Sequence, residues 1–176
     1  MRKFLFLGIS AVALTMTVPA YADTVNGTAA GETLTGTPSA DVIKAYGGDD
    51  TVRALAGADV VKGGTGNDFL YGGRAGDRLA GGQGSDRLFG GPGNDVLNDS
   101  HGSAVDSLKS GIGNDTIFAN YRDVIFAGAG NDRIVFAYPD ATTIDCGTGF
   151  DRVTFNQPHP HVMLVGCEQV RIVSAG

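Results

Sequence analysis

The sequence is poor in the side chains that bind transition metals or carry out nucleophilic catalysis. Its 176 residues include only three histidines and two cysteines, whereas zinc and copper sites are built mainly from these two residue types. No nucleophile is paired with a general base, and the histidines fall outside the regular part of the chain. We therefore predict that the protein is not an enzyme.

Long apolar runs are also scarce, and the only one has the organisation of a secretory signal peptide. Arg2 and Lys3 form a basic start, residues 4–18 are apolar, and Ala20-Tyr21-Ala22 resembles a cleavage site. A membrane anchor is the alternative, but the run is short and small residues follow it. We predict a signal peptide over residues 1–22 and a secreted, extracellular mature chain without a transmembrane segment.

Basic residues are outnumbered by acidic ones. The formal net charge of −6 becomes −8 when Arg2 and Lys3 are removed, because all 19 acidic residues lie beyond the predicted cleavage site. An acidic chain without a basic block is not expected to bind nucleic acid. Acidic composition can also indicate disorder, but here the acids keep a fixed spacing to aliphatic residues, which is typical of ligands.

Cys146 and Cys167 leave no cysteine over. In an exported protein such a pair predicts a disulfide, and its loop of 21 residues adds about 3 kcal/mol in the chain-entropy model. Free buried thiols are one alternative. A zinc site is another, although two cysteines without nearby histidines fall short of four ligands.

What the sequence has in abundance is a nine-residue period. An acidic residue recurs every nine positions, and an aliphatic residue follows it two positions later. The clearest units are GGTGNDFLY (63–71), GGRAGDRLA (72–80), GGQGSDRLF (81–89) and GGPGNDVLN (90–98). A two-residue insertion near Asp99 shifts the phase. The phased acids are Glu32, Asp41, Asp50, Asp59, Asp68, Asp77, Asp86 and Asp95, and then Asp106, Asp115, Asp123, Asp132 and Asp151.

Each unit predicts a glycine-rich turn followed by a three-residue strand with its central aliphatic side chain inward. A helix is excluded because each glycine would cost it roughly 1 kcal/mol. Two units form one coil, and successive coils stack as parallel strands about 4.8 Å apart. The period therefore predicts an all-β fold, a parallel β-solenoid of nine-residue half-coils over residues 23–154.

The period stops after Val153, and residues 155–176 are predicted to form a C-terminal strand cap. Residues 162–165 and 170–173 have the composition of strands, separated from the last coil by a proline-rich turn. Solenoids need such caps to cover their terminal core. The predicted disulfide would tie the cap to the final coil.

The phased carboxylates predict bound cations. Stacking aligns them in two columns, one on each edge of the roll, where neighbours repel by about 1 kcal/mol in water and several-fold more when partly desolvated. A hard divalent cation between the turns replaces this repulsion with attraction. Carboxylate and carbonyl oxygens suit Ca²⁺ better than Mg²⁺, which keeps its waters. Turns that simply cap themselves are the alternative, but this does not explain thirteen acids in phase.

These units resemble the hemolysin-type calcium-binding repeat, the RTX nonapeptide GGxGxDxUx. The resemblance is strong over 63–98, is clear at SGIGNDTIF (110–118) and AGAGNDRIV (127–135), and weakens toward Gly27. It implies that the solenoid is a right-handed parallel β-roll with several Ca²⁺ ions between stacked turns. It also implies that one turn gives carbonyls from its second and fourth positions, and the next stacked turn from its first and third.

Carried over to this sequence, the resemblance implies a series of sites along both edges. One site uses Gly64, Gly66 and Asp68 with Gly81, Gln83 and Asp86. A site on the other edge uses Gly73, Ala75 and Asp77 with Gly90, Pro92 and Asp95. Further sites use the pairs Asp50/Asp68, Asp59/Asp77, Asp95/Asp115, Asp115/Asp132 and Asp132/Asp151. The acids in turns with few glycines are left out: Glu32, Asp41, Asp106 and Asp123.

The sequence thus predicts a secreted calcium-binding protein whose β-roll is folded and stabilised by Ca²⁺. The alternative is a calcium-stabilised surface adhesin or glycan-binding module, because Tyr71, Phe89 and Phe126 fall on the outward positions of one face. Its partner would be an extracellular glycan or protein surface. An enzyme of the β-helical polysaccharide lyase kind is disfavoured, because nine-residue half-coils leave no broad cleft.

Overall fold

The computed structural model of the protein describes residues 22–100, 104–139, 143–156 and 162–173. Within these ranges the backbone consists of strands and turns, and no helix there is long and apolar enough to cross a bilayer. The predicted signal peptide, apart from its last residue, lies outside the described residues, and so does most of the proline-rich turn at 157–161.

The strands are short and evenly spaced along the chain. In order they are β1 (Thr24–Asn26), β2 (Thr33–Thr35), β3 (Val42–Gly47), β4 (Thr51–Ala56), β5 (Val60–Thr65), β6 (Phe69–Arg74), β7 (Arg78–Gln83), β8 (Arg87–Pro92), β9 (Val96–Asn98), β10 (Ser107–Ile112), β11 (Thr116–Tyr121), β12 (Val124–Ala129), β13 (Arg133–Pro139), β14 (Thr143–Asp145), β15 (Arg152–Phe155), β16 (Met163–Val165) and β17 (Gln169–Ile172).

The strands alternate between two parallel sheets, because every turn carries the chain from one sheet to the other. The nine odd-numbered strands form one sheet and the eight even-numbered strands form the other, each in sequence order. We call them the odd sheet and the even sheet. Strands β2 to β15 correspond one to one to fourteen repeats: thirteen have a phased acid, and the repeat of β14, centred on Ile144, has none. The predicted parallel β-roll of nine-residue half-coils is confirmed.

Neighbouring strands of a sheet pair residues that are two repeats apart. In the odd sheet Ile43 lies beside Val61, and Val61 beside Leu79. This step of 18 residues widens to 20 where Leu97 meets Ile117. The two-residue insertion is therefore absorbed between strands, and the same side chains continue to face inward.

The core is a double column of aliphatic side chains, one from the centre of each strand. It is fully buried along most of the roll, from Ile43 and Val52 to Ile144 and Val153. The residue that opens each repeat adds a further inward position that the sequence analysis missed. Small residues occupy it near the N-terminus, whereas the rings of Phe136 and Phe155 fill it near the C-terminus, with centroids 6.2 Å apart.

Most strands have six residues, so the prediction of three-residue strands is wrong for them. β6, for example, runs on into the first residues of the next turn. The reason is that backbone pairing continues past the aliphatic centre: Gly64 lies beside Gly82, and Thr65 beside Gln83. Stacked turns are thereby held at the spacing of paired strands, which fixes the distance between their carboxylates.

The predicted C-terminal strands are present and extend the roll by stacking on it. β16 pairs in parallel with β14, and β17 pairs in parallel with β15. The predicted disulfide is confirmed: Cys146 and Cys167 are bonded, with Cα atoms 5.2 Å apart. It joins the end of β14 to the turn that follows β16, so it fastens the last half-coils to the repeats.

The backbone conformation of the turn restricts which residue can occupy the fourth position of the repeat. Gly84 has φ of 126°, and a Cβ there would collide with the carbonyl oxygen of Gly66. We expect Gly84→Ala to lower the free energy of unfolding by about 1–3 kcal/mol. Ala75 holds the same position on the opposite edge at φ of 77°, where a Cβ costs roughly 1 kcal/mol.

The matched variant Ala75→Gly should therefore leave stability unchanged or raise it by up to about 1 kcal/mol. Urea unfolding of both variants, at one calcium concentration, measures the difference. Equal losses of stability in the two variants would contradict this account of the turns.

Candidate functional site

Each edge of the roll carries a ladder of acidic side chains joined by hydrogen bonds. The backbone N–H of each acid donates to a carboxylate oxygen of the acid one coil further on, as from Asp68 to Asp86 and from Asp77 to Asp95, both at 2.8 Å. Along both ladders these distances lie between 2.7 and 3.1 Å. Stacked turns are thus bound to each other through their carboxylates as well as through their strands.

The two ladders belong to the two kinds of turn. The first edge consists of turns that leave the odd sheet, and the second edge of turns that leave the even sheet. The first edge carries Glu32, Asp50, Asp68, Asp86, Asp106 and Asp123. The second edge carries Asp41, Asp59, Asp77, Asp95, Asp115, Asp132, Asp151 and Glu168.

Most ladder aspartates have a second oxygen, Oδ2, that is buried and has no hydrogen-bond partner among the described residues. Burial of a carboxylate oxygen without a partner is costly, so each such atom points to a missing ligand. The set contains all nine aspartates that the sequence analysis placed in sites, and one more. Its members are Asp50, Asp59, Asp68, Asp77, Asp86, Asp95, Asp99, Asp115, Asp132 and Asp151.

Three of the four acids that are outside the predicted sites, Glu32, Asp41 and Asp123, have their second oxygen engaged within their own turn. In Asp41, Oδ2 accepts a hydrogen bond from the N–H of Thr37. In Asp123 it accepts one from the N–H of Asn120 at 2.8 Å. These turns cap themselves, which is the alternative that the sequence analysis weighed for the whole array.

The glycine that opens a repeat leaves a space beside the free carboxylate oxygen. A Cβ on Gly63 would collide with Oδ2 of Asp68 and would lie 2.7 Å from the carbonyl oxygen of Gly81. A Cβ on Gly90 would likewise collide with Oδ2 of Asp95. We call this space, bounded by a carboxylate and by carbonyl oxygen of the next stacked turn, the turn cradle.

The predicted carbonyl ligands lie in these same stacked turns. The carbonyl oxygen of Gln83 accepts a hydrogen bond from the N–H of Gly66 at 2.8 Å, and that of Pro92 accepts one from Ala75 at 2.9 Å. A carbonyl oxygen has two lone pairs, so these bonds leave one for an ion. The structure brings the predicted residues together, and their role as ligands stays a prediction. The others of this set are Gly64, Gly73, Gly81 and Gly90.

Burial raises the pKa of nearly all the ladder carboxyls. It raises the pKa of Asp77 and of Asp86 to about 7, with a further contribution from the charges of neighbouring ladder acids. Asp41 differs: burial raises its pKa, but hydrogen bonds from Asp23 and Thr37 outweigh burial and hold it below the usual value. The free oxygens therefore belong to groups that resist ionisation unless a cation is present.

The sequence analysis missed Asp99, which opens a repeat where the regular units have glycine. Burial, and after it the charges of Asp106 and Asp86, raises its pKa to about 9. The signal that could have found it is an acid at the first position of the repeat that follows the insertion.

Two further ladder features were also missed. The asparagine at the fifth position forms an outer ladder, in which Oδ1 of Asn67 accepts from the N–H of Ser85 at 2.9 Å and Asn114 accepts from Asn131 at 2.8 Å. This outer ladder accounts for the asparagine in the GND sequence of the turns. Glu168 extends the second edge, because its carboxylate accepts from the N–H of Asp151 at 2.8 Å.

The aromatic residues considered as a glycan surface lie on the outer face of the even sheet. The rings of Tyr71 and Phe89 stack on each other with centroids 4.8 Å apart, and the Arg53 guanidinium lies 5.5 Å from the Tyr71 centroid. Much of the ring surface is therefore covered by neighbours in the roll. Phe126 is more exposed. A glycan or protein partner at this face stays a prediction.

A comparison with protein families matches this repeat. The profile of this family describes four copies of the RTX calcium-binding nonapeptide repeat. It matches five partly overlapping segments, which together cover more than half of the chain: residues 26–61, 55–83, 62–97, 102–121 and 119–136. The chain belongs to the RTX repeat family. No curated protein and no solved structure matches it. The RTX match includes the N-terminal repeats, where the glycines are few, and ends before Asp151.

The donor atoms of the RTX turns fit calcium. The turn cradles are bounded by carboxylate and carbonyl oxygens, which are the ligands that Ca²⁺ prefers. Nitrogen and sulfur ligands, which zinc and copper favour, do not line the cradles described above. When bound, the ion would supply positive charge to oxygens that are otherwise buried without a partner.

The raised pKa values predict that acid stabilises the roll when calcium is removed. A carboxyl whose pKa is raised on folding contributes stability that is present below its unfolded pKa and is lost as the pH rises through its folded pKa. The folded values are about 6 for Asp59 and Asp95 and about 7 for Asp77 and Asp86. In chelator, the melting temperature should therefore fall steadily between pH 4 and about pH 7.

Thermal unfolding followed by circular dichroism checks this. The calcium-saturated protein is the control: its melting temperature should not fall over the same range, because Ca²⁺ binds the ionised form. A calcium-free protein that becomes more stable as the pH rises would contradict the burial of unpartnered carboxylates.

Proposed function

We propose that this RTX roll is a secreted, non-enzymatic calcium-binding protein that folds when extracellular Ca²⁺ fills its turns. The observation that carries the proposal is the set of buried, unpartnered Oδ2 atoms, repeated in register along two edges. Each lies in a ladder whose hydrogen bonds hold it at a fixed place between stacked turns. Calcium bound there would lie among oxygens that the fold has already arranged.

Calcium dependence of folding follows from the charges in the ladders. The acids of one edge lie one coil apart, and burial, with the charges of neighbouring ladder acids after it, raises the pKa of Asp86 and of Asp132. Without cations this repulsion opposes stacking of the turns. Bound cations turn this repulsion into attraction between carboxylate and ion. Every bound ion then adds its binding free energy to the stability of the folded state.

Secretion is supported by two features. Residues 1–22 have the basic start, apolar stretch and small-residue end of a signal peptide. The bond between Cys146 and Cys167 is of a kind that persists in oxidising compartments. Extracellular calcium modules bind at about 10⁻⁴–10⁻³ M, so the roll would be weakly stable at cytosolic calcium levels and firmly folded outside.

The absence of an enzymatic role is supported by what the acids already do. One oxygen of each ladder aspartate accepts the N–H of the preceding turn, as Asp86 does for Asp68. The other oxygen is buried and unpartnered in the nine aspartates of the predicted sites, and in Asp68 and Asp95 it borders a turn cradle. The carboxylates that could serve as general acids or bases are therefore enclosed between coils, out of reach of a polymeric substrate.

Calcium titration of the protein, followed by circular dichroism, tests the proposal. We expect the β signal and the melting temperature to rise together with calcium and to return to their starting values on chelation. A site filled to 100 times its dissociation constant adds about 2.7 kcal/mol. A fully folded protein that is insensitive to chelation would contradict calcium-driven folding.

Two conservative variants separate a calcium ligand from a carboxylate that only caps its turn. Asp77→Asn keeps the oxygen that accepts the N–H of Asp59 but removes the charge of the unpartnered one. It should lose about 2–3 kcal/mol of calcium-dependent stability, the contribution of one filled site. In chelator it should be no less stable than the wild type.

Asp41→Asn is the matched control. Its carboxylate is engaged by Thr37, so this variant should lose the same stability with and without calcium. Urea unfolding in saturating calcium and in chelator measures both. The ligand role of the free oxygens is refuted if Asp77→Asn behaves like Asp41→Asn.

A further inference from the structure

One turn cradle differs from the others of the roll. At Gly63 the space is bounded by the carboxylate of Asp68 and the carbonyl of Gly81, and at Gly90 by the carboxylate of Asp95 and the carbonyl of Ser110. At Gly81 the nearest atoms are instead two carboxylate oxygens, one from Asp86 and one from Asp99. The side chain of Asp99 thus occupies the place that a backbone carbonyl has in the cradles at Gly63 and Gly90.

The second carboxylate comes from the two-residue insertion. Asp99 follows β9 directly and opens the next repeat, in the column that Gly63 and Gly81 occupy in earlier coils. Glycine there contributes only its backbone. Asp99 brings a side chain that turns back into the cradle, where its Oδ1 lies 3.5 Å from the N–H of Gly82.

Three carboxylates meet at this place. Ligand atoms of Asp86, Asp99 and Asp106 lie within 4.8 Å of one another, and all three residues are at most 3% exposed. The backbone fixes two of these carboxylates: that of Asp86 accepts the N–H of Asp68 at 2.8 Å, and that of Asp106 accepts the N–H of Asp86 at 2.8 Å.

The polar atoms around the cluster lack partners. Oδ2 of Asp86 and Oδ2 of Asp99 are both buried and accept no hydrogen bond within the described part of the chain. Both converge on the space above Gly81, since a Cβ there would collide with each. The side chain of Asn120 donates to the Asp99 carbonyl at 3.0 Å, and its own oxygen is buried and unpartnered.

We propose that Asp86, Asp99 and Asp106 form a distinct three-carboxylate cation site, and that it binds Ca²⁺ more tightly than the regular turns do. The inference rests on the proposed function, because it ranks one site within the calcium-binding array. The number of charged ligands is what tunes calcium affinity among otherwise similar oxygen sites. A third buried carboxylate therefore favours this site over the regular predicted sites, each of which has two.

The position of the site adds a second role. It lies where the pairing step widens from 18 to 20 residues, between the regular N-terminal repeats and the C-terminal ones. A surface cleft bordered by Ser85, Arg87 and Val105 opens beside Asp86 and Asp106. An ion held here joins the two halves of the first edge across the insertion.

Calorimetric titration of the calcium-free protein with CaCl₂ tests the proposal, with three variants. Asp99→Asn keeps the size of the side chain and removes its charge, whereas Asp99→Gly restores the residue that regular repeats have. Asp95→Asn is the matched control, because it removes one buried carboxylate from a regular cradle. We expect both Asp99 variants to weaken binding of the first ion about tenfold or more, with the weaker sites retained.

Asp95→Asn should keep the tight first phase and weaken only the later ones. Thermal unfolding in chelator serves as a check on folding: Asp99→Asn and Asp99→Gly should be at least as stable as the wild type, because each removes a buried carboxyl that has an unpartnered oxygen. The proposal is overturned if the tight phase survives in both Asp99 variants, or if Asp95→Asn loses it equally. A wild type that binds no calcium would overturn the proposed function itself.

Discussion

The hydrogen bond from the N–H of one ladder acid to the carboxylate of the next is the interaction on which the rest of this structure depends. It assigns a separate task to each oxygen of an aspartate: in Asp68, Oδ1 accepts the N–H of Asp50, and Oδ2 is left buried and free. The free oxygen cannot turn away toward water without breaking the bond made by its partner. The contact that aligns the coils therefore also creates the demand for a cation.

Glycine and aspartate act together at this point. The missing Cβ of Gly63 leaves room beside Asp68, and the carbonyl of the next turn completes the space. Charge is divided accordingly between the parts of the roll: the acids are enclosed along the edges, whereas bases such as Arg78 and Arg87 stand exposed on the outer faces of the strands. The aliphatic core is thin, so the acidic edges contribute a share of the folding stability. That share depends on the calcium concentration and the pH of the solution.

Much of this could be predicted because the period is short and repeated. The spacing of acid and aliphatic residue determines the strands, the two sheets and the two edges. Asp99 and Phe136 could not be predicted in this way, since both depend on how one irregular repeat stacks on its neighbours. Strand length was underestimated because glycine normally disfavours strands, whereas here Gly64 and Gly82 pair.

The alternation between two sheets has a consequence for how such a chain can change in length. Each repeat passes the chain to the opposite sheet, so the stacked tyrosine and phenylalanine, Tyr71 and Phe89, fall on one face only because two repeats separate them. Loss or duplication of a single nonapeptide would move every later residue to the other sheet and exchange the two edges. Loss or duplication of a whole coil would leave both unchanged. The structural unit of this fold is thus the coil of two repeats, although the sequence repeats after a single nonapeptide.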